Sequence, residues 1–448
     1  MLSVLLVSTW ISVACAPGWS YPIITTSNWY PGNHDKTILV TESNHIHQAW
    51  DHFNQASRVG YRCYLPDGTP IYPEEMISHE TQSFNPTSAV VGADSIAVFW
   101  REGSPAWYCV RNSDGTPAVP TSMYVPDPWT YRTFIWADSD SLGRIHSVFE
   151  TSGGIVYNIF EPGIGEVFRD TIPDSMDAAN ILVDGSRVHI VFLRDFWDPY
   201  YIQYDLEGNV VIPPVMVNDL DWISTFWTMA VDANGDLYCL FVFPNPYFYI
   251  SLSKIEATTG DIIIQDKLIW DPDQGSNFQH ILATPSGDQF YLMWREEDSG
   301  GWPRLIMFAV MDTNGDFVEQ PYVAYDYTDE WPEQLNLLSA TTNPEGDVFA
   351  IWDDGDPNVG GYWIVMGWFD HNWLGIEDDS VSVTPQGASL TLSSNPFKDV
   401  LVIEAYGFGE SPEMQVFDVS GRLVSSLRAR SRFCNWVSCP NHSGNVVS

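Results

Sequence analysis

The amino-acid sequence predicts an all-β protein, in which a seven-bladed β-propeller is followed by a small β-sandwich. One unit, a strand that ends in an aromatic residue and lies between glycine turns, recurs seven times along the 448 residues. The strands are rich in Val, Ile, Phe, Tyr and Trp and are bounded by Gly, Asn and Asp, as strands and hairpins require. Composition then changes after Gly375. No segment has a sustained helical period.

The aromatic-ended strand is the clearest part of each unit. Its seven copies are HIHQAW (45–50), SIAVFW (95–100), RIHSVF (144–149), RVHIVF (187–192), DLYCLF (236–241), DQFYLMW (288–294) and DVFAIW (347–352). A spacing of roughly 50 residues suits one four-stranded blade per unit. Radial repetition buries both faces of each blade, so we expect the strand tryptophans and phenylalanines to be core residues.

Tight glycine turns join the strands, which we label A to D within each unit. The A–B turns include 184–185, 234–235, 286–287 and 345–346, and the C–D turns include 67–68, 114–115, 207–208 and 314–315. Asn-Gly and Asp-Gly pairs supply the positive φ that two-residue hairpins need. Since alternate turns of an up-and-down sheet project from the same side, both families lie on one face, the tight-turn face. The B–C and D–A loops lie on the opposite loop face, where binding usually occurs.

Charged and aromatic residues are concentrated where the predicted loops begin. Such mixtures suit stacking on sugar rings or gripping a peptide, and they suit capping of the blade ends equally well. The candidate ligand-binding residues on the loop face are Asp51, Arg101, Glu102, Trp129, Arg194, Asp195, Trp222, Arg295, Glu296, Trp331 and Asp353. The predicted ligand is an extracellular glycan or protein.

Closure of the ring needs one more strand, because unit seven leaves its blade after residues 362–370. The run YPIITTSN (21–28) is strand-like and precedes the first A strand. We expect it to complete the last blade, since an unpaired edge strand is a liability. The propeller is therefore predicted over residues 20–375.

The first residues predict export. An apolar stretch from Leu2 to Ala14 is followed by small residues, which is typical of a secretory signal peptide, predicted here as residues 1–19. The stretch is too short to span a membrane, so we expect a secreted or cell-surface protein without a membrane-spanning segment. Cys15 follows Ser12-Val13-Ala14, which leaves bacterial lipidation open.

The chain is strongly acidic, with 19 Lys and Arg against 58 Asp and Glu and a formal net charge of −39. This charge repels nucleic acid and anionic membrane surfaces, so neither is an expected partner. The sequence contains no CxxC motif and no His/Cys cluster, so it predicts no zinc site and no cofactor. Binding of Ca²⁺ stays open, because Ca²⁺ prefers the carboxylate oxygens in which the chain is rich. DANGD (232–236) and DTNGD (312–316) are similar to calcium-loop fragments, but they lack the rest of such a loop and we interpret them as turns.

Cysteines and histidines within the strands are expected in the core. A buried thiol or a neutral packed imidazole is the usual interpretation at such positions. The residues concerned are Cys63, Cys109, Cys239, His47, His146 and His189.

The C-terminal residues form a separate module, with a polar linker over 376–389 and alternating strands in 390–448. Its motifs are SNPF (394–397), the strand VLVI (400–403) and VFDVSGRLV (416–424). On these motifs the module resembles the Ig-like C-terminal sorting domain of bacterial type IX secretion substrates. The resemblance implies export by the bacterial secretion machinery, followed by release or surface attachment. Members usually continue through a Gly-x-Tyr strand to a basic final strand, whereas this chain stops at SGNVVS (443–448), so we expect an incomplete domain.

The propeller also resembles, loosely, the repeat propellers of sialidases. The resemblance implies three arginines that clamp a carboxylate, a Tyr nucleophile and acidic partners. Arg101, Arg194 and Arg295 stand on the predicted loop face, but the Ser-x-Asp-x-Gly-x-x-Trp boxes are absent, as are GxSxG, HExxH and P-loop motifs. No catalytic residue is assigned.

Three functions remain open from the sequence. They are a surface-displayed binding propeller for glycan or protein, a secreted glycoside hydrolase or lyase of sialidase-like type, and a non-catalytic structural envelope protein. Convergence of the three arginines on one point would favour the hydrolase.

Overall fold

A computed structural model describes most of the chain, with gaps that fall between strands. The described residues are 14–16, 19–20, 23–25, 36–52, 58–79, 83–92, 94–103, 105–125, 135–151, 153–172, 175–194, 198–218, 228–243, 249–270, 276–284, 286–297, 303–327, 334–356, 361–371, 389–394, 401–406, 413–417, 423–428 and 435–438. The chain divides into two compact units, residues 1–373 and 374–448. All of the named elements are strands, and no helix among the described residues is long and apolar enough to cross a membrane.

The first unit begins with two short strands and continues through four antiparallel sheets. The two short strands are β1 (Ala14–Cys15) and β2 (Ile23–Ile24). The four sheets, which we call blades, are blade one, with β3 (Lys36–Val40), β4 (Ile46–His52), β5 (Arg58–Tyr64) and β6 (Pro70–Met76), and blade two, with β7 (Ser83–Val91), β8 (Ser95–Glu102), β9 (Ala106–Asn112) and β10 (Pro117–Val125). They continue with blade three, with β11 (Ile135–Ser139), β12 (Ile145–Thr151), β13 (Gly154–Glu161) and β14 (Gly165–Ile172), and blade four, with β15 (Ser175–Asp184), β16 (Arg187–Arg194), β17 (Asp198–Asp205) and β18 (Val210–Met216).

Three further sheets complete the set. They are blade five, β19 (Thr228–Val231), β20 (Leu237–Phe243), β21 (Tyr249–Ile255) and β22 (Ile262–Trp270); blade six, β23 (Ser276–Ala283), β24 (Gln289–Glu297), β25 (Pro303–Asp312) and β26 (Phe317–Asp326); and blade seven, β27 (Gln334–Thr342), β28 (Val348–Asp356) and β29 (Gly361–Phe369). The seven aromatic-ended strands of the sequence are the second strands of the seven blades.

The first strands of the seven blades form a closed ring. Each of β3, β7, β11, β15, β19, β23 and β27 contacts the first strand of the next blade, and β27 contacts β3. Strand A is therefore innermost in every blade. The prediction of a seven-bladed β-propeller is confirmed.

The core lies between the blades. Each hydrophobic cluster combines buried residues of two neighbouring sheets, as where blades five and six, or blades one and seven, face each other. Trp50, Trp100, Trp294 and Trp352, which end the second strands of their blades, are among the largest fully buried side chains. This confirms the prediction that the strand-B tryptophans are core residues.

The strand-B histidines are buried as predicted, and each shares a hydrogen bond with a tyrosine hydroxyl of strand C. His47, His146 and His189 lie 2.7, 2.7 and 2.9 Å from Tyr61, Tyr157 and Tyr201 through Nδ1. Burial lowers the pKa of His47 and of His189 to about 3, so both are neutral at pH 7. Cys63, Cys109 and Cys239 are buried free thiols, as expected.

The predicted tight turns all fall between the expected strands, but most are not two-residue hairpins. In DANGD the Asp232 amide donates to Asp236 O and the Gly235 amide donates to Asp232 O, which is a type I turn followed by one left-handed residue. Gly235 supplies that residue with φ +81°, and Asn44 does the same in blade one with φ +60°. A three-residue loop needs only one positive φ, whereas the predicted two-residue turn needs one or two.

The N-terminal residues close the ring, as predicted. Ile23 and Ile24 of β2 pair with Met366 and Val365 of β29, so β2 becomes the outer strand of blade seven. The Thr25 amide continues this pairing with a bond to Ile364 O. The sequence did not predict that β1 adds a fifth strand to blade six by pairing with β26.

The second unit contains five strands in two small sheets. In one, β30 (Ser389–Ser394) pairs with β31 (Leu401–Tyr406), which also pairs with β34 (Asn435–Ser438); in the other, β32 (Glu413–Phe417) pairs with β33 (Leu423–Arg428). The Ig-like class of this unit stays a prediction.

Candidate functional site

Seven of the eleven predicted ligand-binding residues are described by the structure, and all seven lie towards the loop-face ends of second strands. Trp129, Asp195, Trp222 and Trp331 lie outside the described residues. Of the seven others, Asp51, Glu102, Arg295 and Asp353 are buried, while Arg101, Arg194 and Glu296 are half-buried.

Asp353 belongs to a buried ion pair between the last and the first blade. Its Oδ1 lies 2.8 Å from Nζ of Lys36, and the side chains are 0% and 1% exposed. Lys36 begins the inner strand of blade one, and Asp353 follows the strand-B tryptophan of blade seven. Two buried charges need this kind of close pairing to offset their desolvation. The pair therefore joins the two blades where the ring closes.

Glu102 and Glu296 occupy the same position in blades two and six, two residues after the strand-B tryptophan. Oε2 of Glu102 accepts hydrogen bonds from Trp100 Nε1 at 3.2 Å and from the His79 amide at 3.3 Å. Oε2 of Glu296 accepts from Trp294 Nε1 at 3.3 Å and from Trp270 Nε1 at 3.1 Å.

The second donor to Glu296 belongs to the last strand of blade five, and the second donor to Glu102 lies in the connection that follows blade one, so each carboxylate links its blade to the chain before it. Burial raises the pKa of Glu296, and the two indole N–H groups oppose that shift. These contacts correspond to the capping role that the sequence left open beside binding.

The three loop-face arginines have different surroundings. The Arg101 guanidinium lies 5.6 Å from the ring centroid of Phe84, on the inner strand of its own blade. The Arg194 guanidinium lies 4.9 Å from that of Tyr200, on the third strand of its blade and so farther from the axis. Arg101 therefore leans inward and Arg194 outward, while Arg295 is buried.

The innermost strands carry, at one level around the axis, a ring of residues that the sequence reasoning missed. In every blade one residue of strand A pairs with the residue immediately before the strand-B aromatic, which places the seven at one level. They are Thr37, Thr87, Trp136, Asn180, Thr228, His280 and Ser339. We call this set the axial ring.

Two members of the axial ring bond to the adjacent blade. Thr37 Oγ1 and Ser88 Oγ are 2.6 Å apart, and His280 Nε2 lies 3.0 Å from Leu338 O. Six of the seven side chains are polar, so this level of the axis offers hydrogen-bonding groups from nearly every blade.

Trp136 is the exception in the axial ring. Its side chain is 39% exposed although it belongs to an innermost strand, and it lies near the start of β11, towards the loop face. Its neighbours Ile135 and Ala137 pack with blade two instead. The indole makes no hydrogen bond to the residues that the structure describes. An exposed tryptophan at the axis is an aromatic surface on which a ligand can stack.

Asp138 follows on the same side of β11, because alternate residues of a strand share a face. Its Oδ2 accepts a 2.8 Å bond from the Val183 amide of blade four, and its Oδ1 accepts one from the Ser139 amide. Burial raises the pKa of Asp138 to about 6, against these two bonds. The Asp138 carboxyl group is therefore held against the backbone of blade four, on the same side of β11 as Trp136.

The tight-turn face uses its acidic residues within the turns. Asp232 Oδ1 accepts the amides of Asn234 and Asp236 at 2.8 and 3.0 Å, and Asp312 Oδ1 does the same for Asn314 and Asp316. This confirms the interpretation of DANGD and DTNGD as turns. Among the described residues, no group of three His, Cys, Asp or Glu could hold a metal ion.

Solved structures of other proteins are similar to this chain. A protein of unknown function from Dyadobacter fermentans has a similar structure, with a TM-score of 0.52 and 12% identity over 79% of this chain and 100% of that one. Trypanosoma rangeli sialidase is similar with a TM-score of 0.45 and 8% identity over 91% and 73% of the two chains. Hadza microbial sialidase Hz136 has a TM-score of 0.42 and 11% identity over 76% and 66%.

No family model matches the sequence, and no curated protein matches it. The chain is thus a seven-bladed β-propeller with sialidases among its structural neighbours.

Proposed function

We propose that this chain is a secreted or surface-displayed binding propeller that takes a glycan or protein ligand at the loop-face end of its axis. The observation that carries the proposal is the exposed side chain of Trp136, which is the one aromatic indole in the otherwise polar axial ring. Export rests on the apolar N-terminal stretch and on the resemblance of residues 390–448 to a type IX sorting domain.

The axial ring suits a ligand that is partly apolar and partly hydroxylated. An indole face packs against the C–H surface of a sugar ring or against a flat side chain. Asn180 lies at the same level in the adjacent blade, and Asp138 lies one alternate position along β11. One stacking surface with polar groups beside it is a common arrangement in ligand sites.

The hydrolase alternative receives less support. A carboxylate clamp needs guanidinium groups that point to one place. Arg101 stacks on the inner strand of its blade, whereas Arg194 stacks on the third strand of its own. The contacts of Glu102 and Glu296 between blades are compatible with the structural-protein alternative, but that alternative gives the exposed Trp136 side chain no role.

The test is binding of the labelled full-length chain to a printed glycan array, followed by calorimetric titration of any glycan that binds. Trp136→Ala should weaken that binding at least tenfold, because the stacking surface is removed, and Trp136→Phe should retain part of it.

Leu142→Ala is the matched control. It changes a 73% exposed side chain in the A–B turn of the same blade, at the opposite face, and should bind as the unchanged chain does. Equal affinity of Trp136→Ala and the unchanged chain would contradict the axial site. Absence of any glycan ligand would leave a protein ligand, to be sought with the same two variants.

A further inference from the structure

The residues around the predicted signal-peptide boundary are part of the propeller. Ala14 and Cys15 pair with Asp326 and Tyr325 at the outer edge of blade six. The Ala16 amide donates a 2.9 Å bond to Ala324 O. Residues 14–16, which precede the predicted boundary at residue 19, thus pair with the propeller.

Trp19 is wedged between blades six and seven. Its ring lies 5.2 Å from Phe308 and 5.3 Å from Tyr325, both of blade six, and 5.4 Å from Phe369 of blade seven. The side chain is only 6% exposed, and its Nε1 lies 3.4 Å from Tyr322 Oη.

Ser20 fixes the backbone directly after this wedge. The Ser20 amide donates to Trp368 O at 2.8 Å, and Ser20 Oγ accepts the Trp368 amide at 3.0 Å. Tyr325 Oη donates to Ser20 O at 2.8 Å. A chain cut after residue 19 would lose the aromatic wedge and leave its pocket between two blades open to water.

Small residues before Trp19 offer places to cut that keep the wedge. Signal peptidases need small residues one and three positions before the cut. Ser12 and Ala14 satisfy this rule for a cut between Ala14 and Cys15. A cut after Ala16 would place Pro17 next, which has no N–H and a fixed φ. A cut after Gly18 would remove the Ala16 bond to blade six.

We infer that a signal peptidase cuts this chain between Ala14 and Cys15, so that Trp19 stays in the mature protein as the wedge between blades six and seven. Water hydrolyses that one peptide bond, which leaves a carboxyl group on Ala14 and an amino group on Cys15. The inference rests on the proposed export and shortens the predicted signal peptide from residue 19 to residue 14.

The test is intact-mass measurement and N-terminal sequencing of the full-length chain after export from a bacterial host. The mature protein should begin at Cys15, with either a free or an acylated N-terminus. A first residue at Ser20, or any other residue than Cys15, would overturn the inference. A chain that stays inside the cell uncut would overturn export itself, which distinguishes the two failures.

Two tryptophan variants give an independent readout. Trp19→Ala should lower the mass of the exported protein by the Trp-to-Ala difference and lower its Tm by several degrees. Trp10→Ala is the matched control, because residue 10 would be removed, and its exported protein should equal the unchanged one in mass and Tm. Identical mass for Trp19→Ala and the unchanged chain would show that Trp19 is lost and would contradict the inference.

Discussion

The two faces of the propeller join their blades by different means. On the tight-turn face neighbouring turns bond to each other, as when the Ala233 amide of blade five donates to Gly287 O of blade six. Asn343 of blade seven likewise donates through Nδ2 to Asn44 Oδ1 of blade one at 3.2 Å. On the loop face the links end on carboxylates: Asp353 pairs with Lys36, Glu102 accepts the His79 amide, and Glu296 accepts the Trp270 indole N–H.

The two faces therefore show two ways of holding neighbouring blades together. The tight-turn links depend on backbone geometry that a few local residues set, with glycine where φ is positive. The loop-face links depend on acidic side chains, and in the pair of Lys36 and Asp353 both partners are buried. A disturbance of the loop face should therefore cost more stability, because an orphaned buried charge costs more than a strained turn.

The largest expected effect is at the loop face. Lys36→Met removes the lysine partner of the buried Asp353 carboxyl group, which should lower the free energy of unfolding by about 3–5 kcal/mol. Chemical denaturation measures it. The double variant Lys36→Met/Asp353→Leu, which removes both charges, should regain most of the loss. A single variant as stable as the unchanged chain would remove the distinction between the two faces.

On the tight-turn face, Gly287→Ala should have a smaller effect. Gly287 has φ +66°, and an added Cβ would lie 2.6 Å from the Ala233 backbone nitrogen. The left-handed conformation alone costs about 1–2 kcal/mol, and the contact adds to it.

Gly185→Ala is the control for that contact. Its φ is +51° and an added Cβ meets nothing within 4 Å, so only the conformational cost applies. Thermal denaturation of both variants should rank Gly287→Ala below Gly185→Ala. The opposite order would argue against interlocked turns.

Between the two faces, the buried histidines should make stability depend on pH. Burial lowers the pKa of His189 from 6.5 to about 3, so between these values the unfolded chain binds a proton that the folded chain does not. As the pH is lowered through that window, the contribution of His189 to the free energy of unfolding should fall by up to about 1.4 kcal/mol for each pH unit.

His189→Gln tests this dependence, since glutamine can still accept the Tyr201 hydroxyl bond. The stability difference between the unchanged chain and the variant should shrink, or change sign, from pH 7 to pH 5. Parallel stability curves would mean that His189 is not buried neutral.

The smallest expected effect is that of Glu296→Gln. The amide oxygen can accept both indole bonds, so stability should change by no more than about 0.5–1.5 kcal/mol, measured by thermal denaturation. If Glu296 acts mainly as a clamp, glycan binding should be unchanged. A large loss of binding at unchanged Tm would instead place Glu296 in the ligand site.

The sequence predicted those features of the fold that depend on residues close together in the chain. Strand B is recognisable because its aromatic residue and the following turn lie within one short segment, and β2 was found because a lone strand-like run preceded the first blade. The axial ring was missed, because it is defined by the register of each inner strand with strand B, as where Trp136 pairs with Val148, and no local pattern shows that register.

The buried pair was missed for a related reason. Lys36 and Asp353 belong to opposite ends of the propeller sequence, and no local pattern connects them. Aromatic residues in inner strands, placed one residue out of phase with the core positions, are the signal that would have found Trp136.

Closure through β2 has a consequence for the order of folding. Thr25 meets Ile364 across a separation of 339 residues, so the first outer strand cannot be placed until the last blade has been made. Contacts this distant carry a high loop-closure entropy and form late. During synthesis the chain therefore forms an incomplete ring of blades with two unpaired ends. The ring becomes cooperatively stable in one step, when β29 has been made and pairs with β2.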